Sequence, residues 1–321
     1  MEKRTKVCEG RTEHCTDVSR RAFIRGAVAG AALYATGKTA AAQVGGEGAA
    51  KPSELVVAKG EDPAAMVRAA IDAYGGMGRF VKKGDVVLVK PNIAFDRTPE
   101  QAGCTNPDVV GELVRMCLKA GASKVKVYDR TVNPAKRTYP KSGIAEAAEK
   151  AGAEVSFVAG GRDAWVETPV PKGVVLKSCP LYKDALEVDV FINVPIAKHH
   201  SNPGLTLAIK NLMGVLGGNR GGLIHDPVHE RLPDLATVVR PHLNVLDGYR
   251  ILLRNGPSGG SLDDVAYANK VIVGTDIVAV DAYGATLFEK DPAEYGFIVN
   301  GNKRGLGECD LSKVKITEIA V

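Results

Sequence analysis

Four clusters of polar residues follow directly on apolar runs: Lys90-Pro91-Asn92, Asp129-Arg130-Thr131, Lys198-His199-His200 and Asp247-Gly248. A further pair, Lys210-Asn211, interrupts an otherwise apolar stretch and precedes Gly217-Gly218-Asn219-Arg220. Lysines and arginines in such settings bind carboxylates and phosphates through charge-assisted hydrogen bonds. An aspartate or histidine beside them can move protons. The expected reacting set is Lys198, His199, Asp129 and Lys210, and the expected binding set is Lys90, Asn92, Asn211, Arg220 and Asp247. Lys90, Lys198 and Lys210 in one cleft would repel one another unless carboxylates or a bound anion compensate them. Asp129 and Asp247 would supply part of that compensation, and an anionic ligand the rest.

The candidates for a metal are His200, His225 and His229. His199 and His200 are neighbours, so an extended chain turns them opposite ways and only one faces a given site. His225 and His229 have the i,i+4 spacing of a helical metal pair, but Pro227 stands between them and argues against one continuous helix. There is no H-E-x-x-H motif, and the glycine-rich segment at 217–222 lacks the G-K-[ST] ending of a phosphate loop.

For these residues to meet, the elements carrying them must be neighbours. Asp85 to Lys90 and Val188 to Pro195 read as nearly continuous apolar runs, the pattern of strands buried on both faces. Shorter strands are expected at Leu55–Ala58, Lys124–Tyr128, Glu154–Val158, Leu243–Leu246, Val271–Val273 and Val314–Ile319. Helices are expected from Pro63 to Tyr74, from Asn106-Pro107 to Ala120, and over Ser142–Ala151, Leu235–Arg240 and Ile277–Lys290. Ser201-Asn202-Pro203 reads as a helix start, with Gly204 to Val215 helical and Thr206 and Lys210 on one face. Strands alternating with helices imply an α/β fold, a mostly parallel sheet with helices on both faces in Rossmann-like layers. In such sheets ligands bind beyond the carboxyl ends of the strands, where the polar clusters fall.

Several of these segments together resemble the bacterial and archaeal family called domain of unknown function 362. The matching stretches are Val87-Leu88-Val89-Lys90-Pro91-Asn92, Val127-Tyr128-Asp129, Phe191 through Pro195 with Lys198-His199-His200, and Lys210-Asn211-Leu212-Met213-Gly214. Asn244 through Gly248, Asn255-Gly256-Pro257 and Asp276 through Asp281 also fit. The Lys-His and Lys-Asn-Leu-Met-Gly segments are the specific part. Many relatives carry ferredoxin-like cysteine clusters for iron–sulfur centres, which this chain lacks. The resemblance implies no general activity.

The first 42 residues read as a targeting signal. Ser19-Arg20-Arg21-Ala22-Phe23-Ile24 is a twin-arginine pattern, followed by the apolar stretch Gly26 to Tyr34 and the small run Ala40-Ala41-Ala42. That order predicts export by the Tat route to the periplasm, with cleavage after Ala42 and a flexible mature start over 43–52. Residues 53–321 would then form one α/β domain. Eight of the 42 Lys/Arg and four of the 37 Asp/Glu lie in the signal, leaving 34 and 33, a net charge of +1. So balanced a chain gives no reason to expect nucleic acid as a partner. No apolar run reaches the ~18 residues of a membrane span. Cys104, Cys117, Cys179 and Cys309 form no C-x-x-C pair, so an iron–sulfur cluster is not expected, while their disulfide pairing stays open.

Two readings of function remain at this level. One is an exported protein that binds or acts on a small anionic or phosphate-bearing ligand. The other is a non-catalytic protein that binds or matures a metal or redox cofactor. A redox accessory role is weakened by the missing cysteine clusters.

Overall fold

The computed structural model describes residues 53–158 and 160–321. The twin-arginine segment, the cleavage site and the whole of the expected flexible start lie outside the described residues. Twelve strands appear among the described residues: β1 Glu54–Lys59, β2 Val86–Pro91, β3 Lys124–Val127, β4 Glu154–Val155, β5 Trp165–Pro169, β6 Ser178–Tyr182, β7 Val190–Val194, β8 Ile196–His200, β9 Gly204–Thr206, β10 Leu243–Leu252, β11 Val265–Gly274 and β12 Lys315–Ala320. The main sheet runs β12-β1-β11-β10-β7-β2-β3-β4, with β8 on β10 and β9 on β8. The pairs from β10 through β7, β2, β3 and β4 are parallel, as is β1 with β12. β11 runs antiparallel to both its neighbours. β5 and β6 form a separate antiparallel hairpin.

The α-helices are α1 Pro63–Ala73, α2 Pro107–Lys119, α3 Ala135–Lys141, α4 Ile144–Lys150, α5 Lys183–Glu187, α6 Ala208–Asn211, α7 Arg220–Ile224, α8 Val228–Ala236, α9 Ile277–Thr286 and α10 Gly296–Lys303. Their starts follow ordinary capping chemistry. Asp62 accepts the N–H groups of Ala64 and Ala65 at α1, and Asn106 accepts that of Asp108 at α2, each with proline at the first helical position.

Alternate strand residues explain why the runs look continuously apolar. Val87, Val89, Ile192, Val194 and Val245 pack with α1, α2 and α4 in one core. Leu88, Phe191, Leu246 and Ile272 pack on the opposite face with α6, α8, α9 and α10. The sheet is therefore covered on both faces, as a mostly parallel sheet requires. α9 is buried almost throughout, consistent with its all-round apolar sequence.

The largest departure from the sequence reading is at 201–215. Ser201–Pro203 turns a hairpin instead of starting a helix, and β8 and β9 pair with Lys198 opposite Thr206 and His200 opposite Gly204. Gly204 has φ of 98°, outside the helical region, and Tyr295 packs where a side chain would stand. The helix is thus confined to α6 and a 3₁₀ turn over Leu212–Val215. The stretch Ser142–Ala151 likewise holds only α4, with Gly143 at φ of 72° separating it from α3. The helix expected over 235–240 instead spans Val228–Ala236, so 237–240 lie beyond its end, and β5–β6 was not anticipated.

Candidate functional site

Three neighbouring strands place polar residues in one row on the α6 face of the sheet. Lys90 on β2 lies opposite Asn193 on β7, and Asn193 lies opposite Asn244 on β10. All three are fully buried. Polar groups so placed must satisfy one another. Asn244 Nδ2 donates to the Gly274 carbonyl at 3.4 Å, and Asn193 Nδ2 donates to Asn244 Oδ1 and to the Ala208 carbonyl, each at 3.0 Å. Asn211, from α6, extends the chain by donating Nδ2 to Asn193 Oδ1 at 2.9 Å, and Asn92 Nδ2 donates to Asn211 Oδ1 at 3.1 Å. Lys198 closes it, its Nζ donating to Asn92 Oδ1 at 3.1 Å and to the Gly103 carbonyl at 2.6 Å. Every amide donates away from Lys198, so successive dipoles reinforce one another and their oxygen end meets the ammonium. The Phe95 ring also lies against Nζ, 4.7 Å from its centroid.

Lys90 and Asp129 form a second buried unit. Lys90 Nζ lies 2.8 Å from Asp129 Oδ1 and donates to the Pro91 carbonyl at 2.8 Å. Asp129 Oδ2 accepts the Ile93 N–H at 2.7 Å. Burial pulls the Lys90 pKa down, and the carboxylate alongside opposes that pull. Gly214 passes over this pair so closely that a Cβ there would stand 1.7 Å from Asp129 Oδ1 and 2.4 Å from Lys90 Nζ. Only glycine fits, which gives the Leu-Met-Gly ending of the segment a steric reason.

Beyond these units opens a cavity of about 540 Å³, in the size range of small-molecule sites. Lys198, Lys210, Arg220 and Arg130 reach its wall, with Thr206 and His200. Lys210 is buried, and among the described residues the one hydrogen bond of its Nζ goes to Met213 Sδ, a weak acceptor, at 3.4 Å. Burial first, then the charges of Lys198 and Arg220, bring its pKa to about 7. Burial likewise brings Lys198 to about 8. Arg220 ties the cavity wall together, donating to the carbonyls of Arg130 and Thr131, while Arg130 donates to those of Leu216 and Gly218. Among the described residues, none of these four cations has a carboxylate within ion-pair distance.

α6 owes its position to α9. Asp281 accepts the N–H groups of Ala208 and Ile209, the latter at 3.0 Å, satisfying donors that a helix start leaves free. Burial raises the Asp281 pKa to about 8. Lys210 and Asn211 follow directly on this anchored turn.

Several expected members stand elsewhere. Lys90 lies behind Asp129, sealed from the cavity it was expected to line. His199 is turned away, as alternation along β8 demands, and its Nδ1 accepts the Gly256 N–H at 3.1 Å. Asp247 supports the chain instead, accepting the N–H groups of Asn106 at 2.7 Å and Tyr249 at 3.1 Å, with burial raising its pKa to about 6. His225 ends α7 at the cavity, whereas His229 belongs to α8 and stacks on Phe297, so the spaced pair is divided between two helices. His200 and His225 are neighbours, 6.1 Å between ring centroids, and burial keeps both neutral, His200 at about 2. His200 Nδ1 accepts the Asn202 N–H at 2.9 Å, which leaves the proton of the neutral ring on Nε2. In that tautomer His200 offers a hydrogen-bond donor at Nε2. Among the described residues no three His, Cys, Asp or Glu group as a metal site would need. Cys104, Cys117, Cys179 and Cys309 are free thiols, the first three buried.

The family whose sequence profile matches this chain is described as Domain of unknown function (DUF362), and the match covers residues 87–286. The chain belongs to this family. The matched span contains the whole polar row, the Lys90–Asp129 pair, α6 and Asp281, so the site is built from family sequence. A curated relative, thylakoid-associated protein sll1697 of Synechocystis, is 27% identical over 249 residues, covering 75% of each chain. Among solved structures, the lactate racemase apoprotein of Thermoanaerobacterium thermosaccharolyticum is similar with a TM-score of 0.40 at 13% identity, over 71% of this chain and 55% of that one. A Thermotoga maritima protein is similar with a TM-score of 0.36 at 12% identity, over 75% of this chain and 60% of that one. The chain thus spans little more than half the length of either structure.

In this DUF362 chain the residues that sequence reasoning left out of the site are Asn193, Asn244, Asp281, Thr206 and Gly214. Asn193 and Asp281 did leave a signal: each is a lone polar residue in an apolar strand or helix, where an unsatisfied group would be costly. Thr206 Oγ1 is buried at the cavity without a hydrogen-bond partner among the described residues.

Proposed function

We propose that this chain binds and acts on a small anion, bearing a carboxylate or phosphate, in the cavity beside Lys198, Lys210 and Arg220. The observation that supports this reading is the imbalance of charge around the cavity. Two buried lysines, Lys198 and Lys210, and two half-buried arginines, Arg130 and Arg220, meet there, and the one carboxylate among the described residues that line it, Asp129, is committed to Lys90. Buried ammonium groups without counter-charges are costly, and a bound anion would supply what the chain does not. The His200 Nε2–H and the Thr206 hydroxyl would add neutral donors. Calorimetric titration of the protein with inorganic phosphate and with small dicarboxylates at low ionic strength tests this. Lys198→Ala is expected to weaken the binding of whichever anion binds by about 1.5–3 kcal/mol, the worth of a hydrogen bond to a charged group. Equal affinity in the variant and the parent would remove Lys198 from the site.

We further propose that the chain is exported by the Tat route, as Ser19-Arg20-Arg21-Ala22-Phe23-Ile24 suggests. Replacing both Arg20 and Arg21 with lysine is expected to retain the uncleaved precursor in the cytoplasm, visible by fractionation and immunoblotting. Undiminished export of that variant would rule the route out.

A further inference from the structure

We infer that Lys210 is a nucleophile that forms an imine with the carbonyl carbon of an anionic aldehyde or 2-oxo acid held in the cavity. This rests on the anion-binding reading above. The three lysines differ in what holds their Nζ. Lys90 is bound to Asp129 and a carbonyl, and Lys198 donates to an amide oxygen and a carbonyl. Among the described residues the Lys210 Nζ has a hydrogen bond only to the thioether of Met213, yet it lines the cavity. The charged and titratable groups around it are Lys198 from β8, Arg220 from α7, the neutral rings of His200 and His225, and Asp129, already paired. None of these stabilises an ammonium at Lys210, so burial favours the free amine, with a pKa of about 7. A desolvated amine beside other cations is the form in which lysine attacks carbonyls.

The chemistry balances with groups on the page. The Nζ lone pair attacks the carbonyl carbon while the C=O π pair moves to oxygen, and proton transfer from nitrogen to oxygen gives the neutral carbinolamine. The Lys198 ammonium, on the same cavity wall, protonates that hydroxyl. Water leaves with the C–O bonding pair, the nitrogen lone pair forms the C=N bond, and a protonated imine remains beside a neutral Lys198. Arg220 and the His200 N–H are placed to hold the carboxylate or phosphate.

Glyoxylate, which joins an aldehyde to a carboxylate, is the probe, with sodium cyanoborohydride to reduce the imine and peptide mapping by mass spectrometry to locate it. At pH 7 an ordinary lysine keeps well under ~0.1% of free amine, so labelling of Lys210 is expected to outrun the surface lysines at least about tenfold. Inorganic phosphate should slow it, and Lys210→Arg should abolish it while other lysines react as before. Labelling spread evenly over surface lysines overturns the inference. So does a lack of Lys210 adduct in protein that phosphate still stabilises against heat, which leaves the anion site standing. If phosphate neither stabilises nor competes and Lys210 is unlabelled, both readings fall. The wild-type peptide map locates the adduct even if Lys210→Arg fails to fold.

Discussion

Asp129→Ala is expected to lower the free energy of unfolding by about 3–5 kcal/mol, the cost of breaking one partner out of a buried ion pair. Lys90 has no exposed surface, and its other hydrogen bond, to the Pro91 carbonyl, brings no negative charge. The Ile93 N–H loses its acceptor in the same step. Gly214 closes over the pair, so the chain cannot easily relax to admit solvent. Urea unfolding followed by circular dichroism would measure the loss. Combining Asp129→Ala with Lys90→Met should cost less than the sum of the single changes, because the second change removes the charge that the first left stranded. A loss below ~1 kcal/mol for Asp129→Ala would mean that the pair is not the buried, coupled unit described above.

Lys210→Met is expected to have the opposite sign on stability, raising it by about 1–3 kcal/mol at pH 7 while abolishing anion binding. Lys210 is buried with no carboxylate to offset its desolvation, so an apolar side chain of similar length removes a cost and fills the space. The pH dependence follows the same logic. Lys210 has a pKa of about 7 in the folded chain, against about 10.4 when unfolded. Between these values the unfolded chain holds the extra proton, so stability rises as pH rises, is complete above the unfolded value, and is lost as pH falls through about 7. Lys198, at about 8, contributes to the same slope over a narrower window. Denaturation midpoints across pH 7 to 10 should therefore climb in the parent and climb less in Lys210→Met. A destabilised variant with a parental slope would show that Lys210 serves the core and not the cavity.

Much of this arrangement could be read from residue order. The continuous apolar runs at β2 and β7 determine strands covered on both faces, and the Asp-Pro and Asn-Pro starts of α1 and α2 determine where those helices begin. The alternation of strands and helices determines the mostly parallel sheet, and with it the edge at which polar residues collect. The sequence also named Lys198, Lys210, Asn92 and Asn211, because a polar residue at a strand end or in an apolar helix stands out against its neighbours, and Arg220, as the one fixed charge in a glycine-rich loop. Tertiary structure alone decided what each of them faces. The hairpin at Ser201–Pro203 overrode local helical preference because β8 found a partner in β9 and Gly204 took a conformation no helix allows. That hairpin turns His200 to the cavity and His199 away from it. Residue order suggested that Asp129 would compensate the lysines, but not that it belongs to Lys90 in particular, nor Asp281 to the start of α6, since those partners lie 39 and more than 70 positions apart and are brought together only by packing. Nor does it show that Asp247 is spent on backbone N–H groups. A side chain's charge is local information, but whether that charge is paired, buried or open to a cavity depends on which distant segments pack against it, and that is settled only when the sheet is assembled.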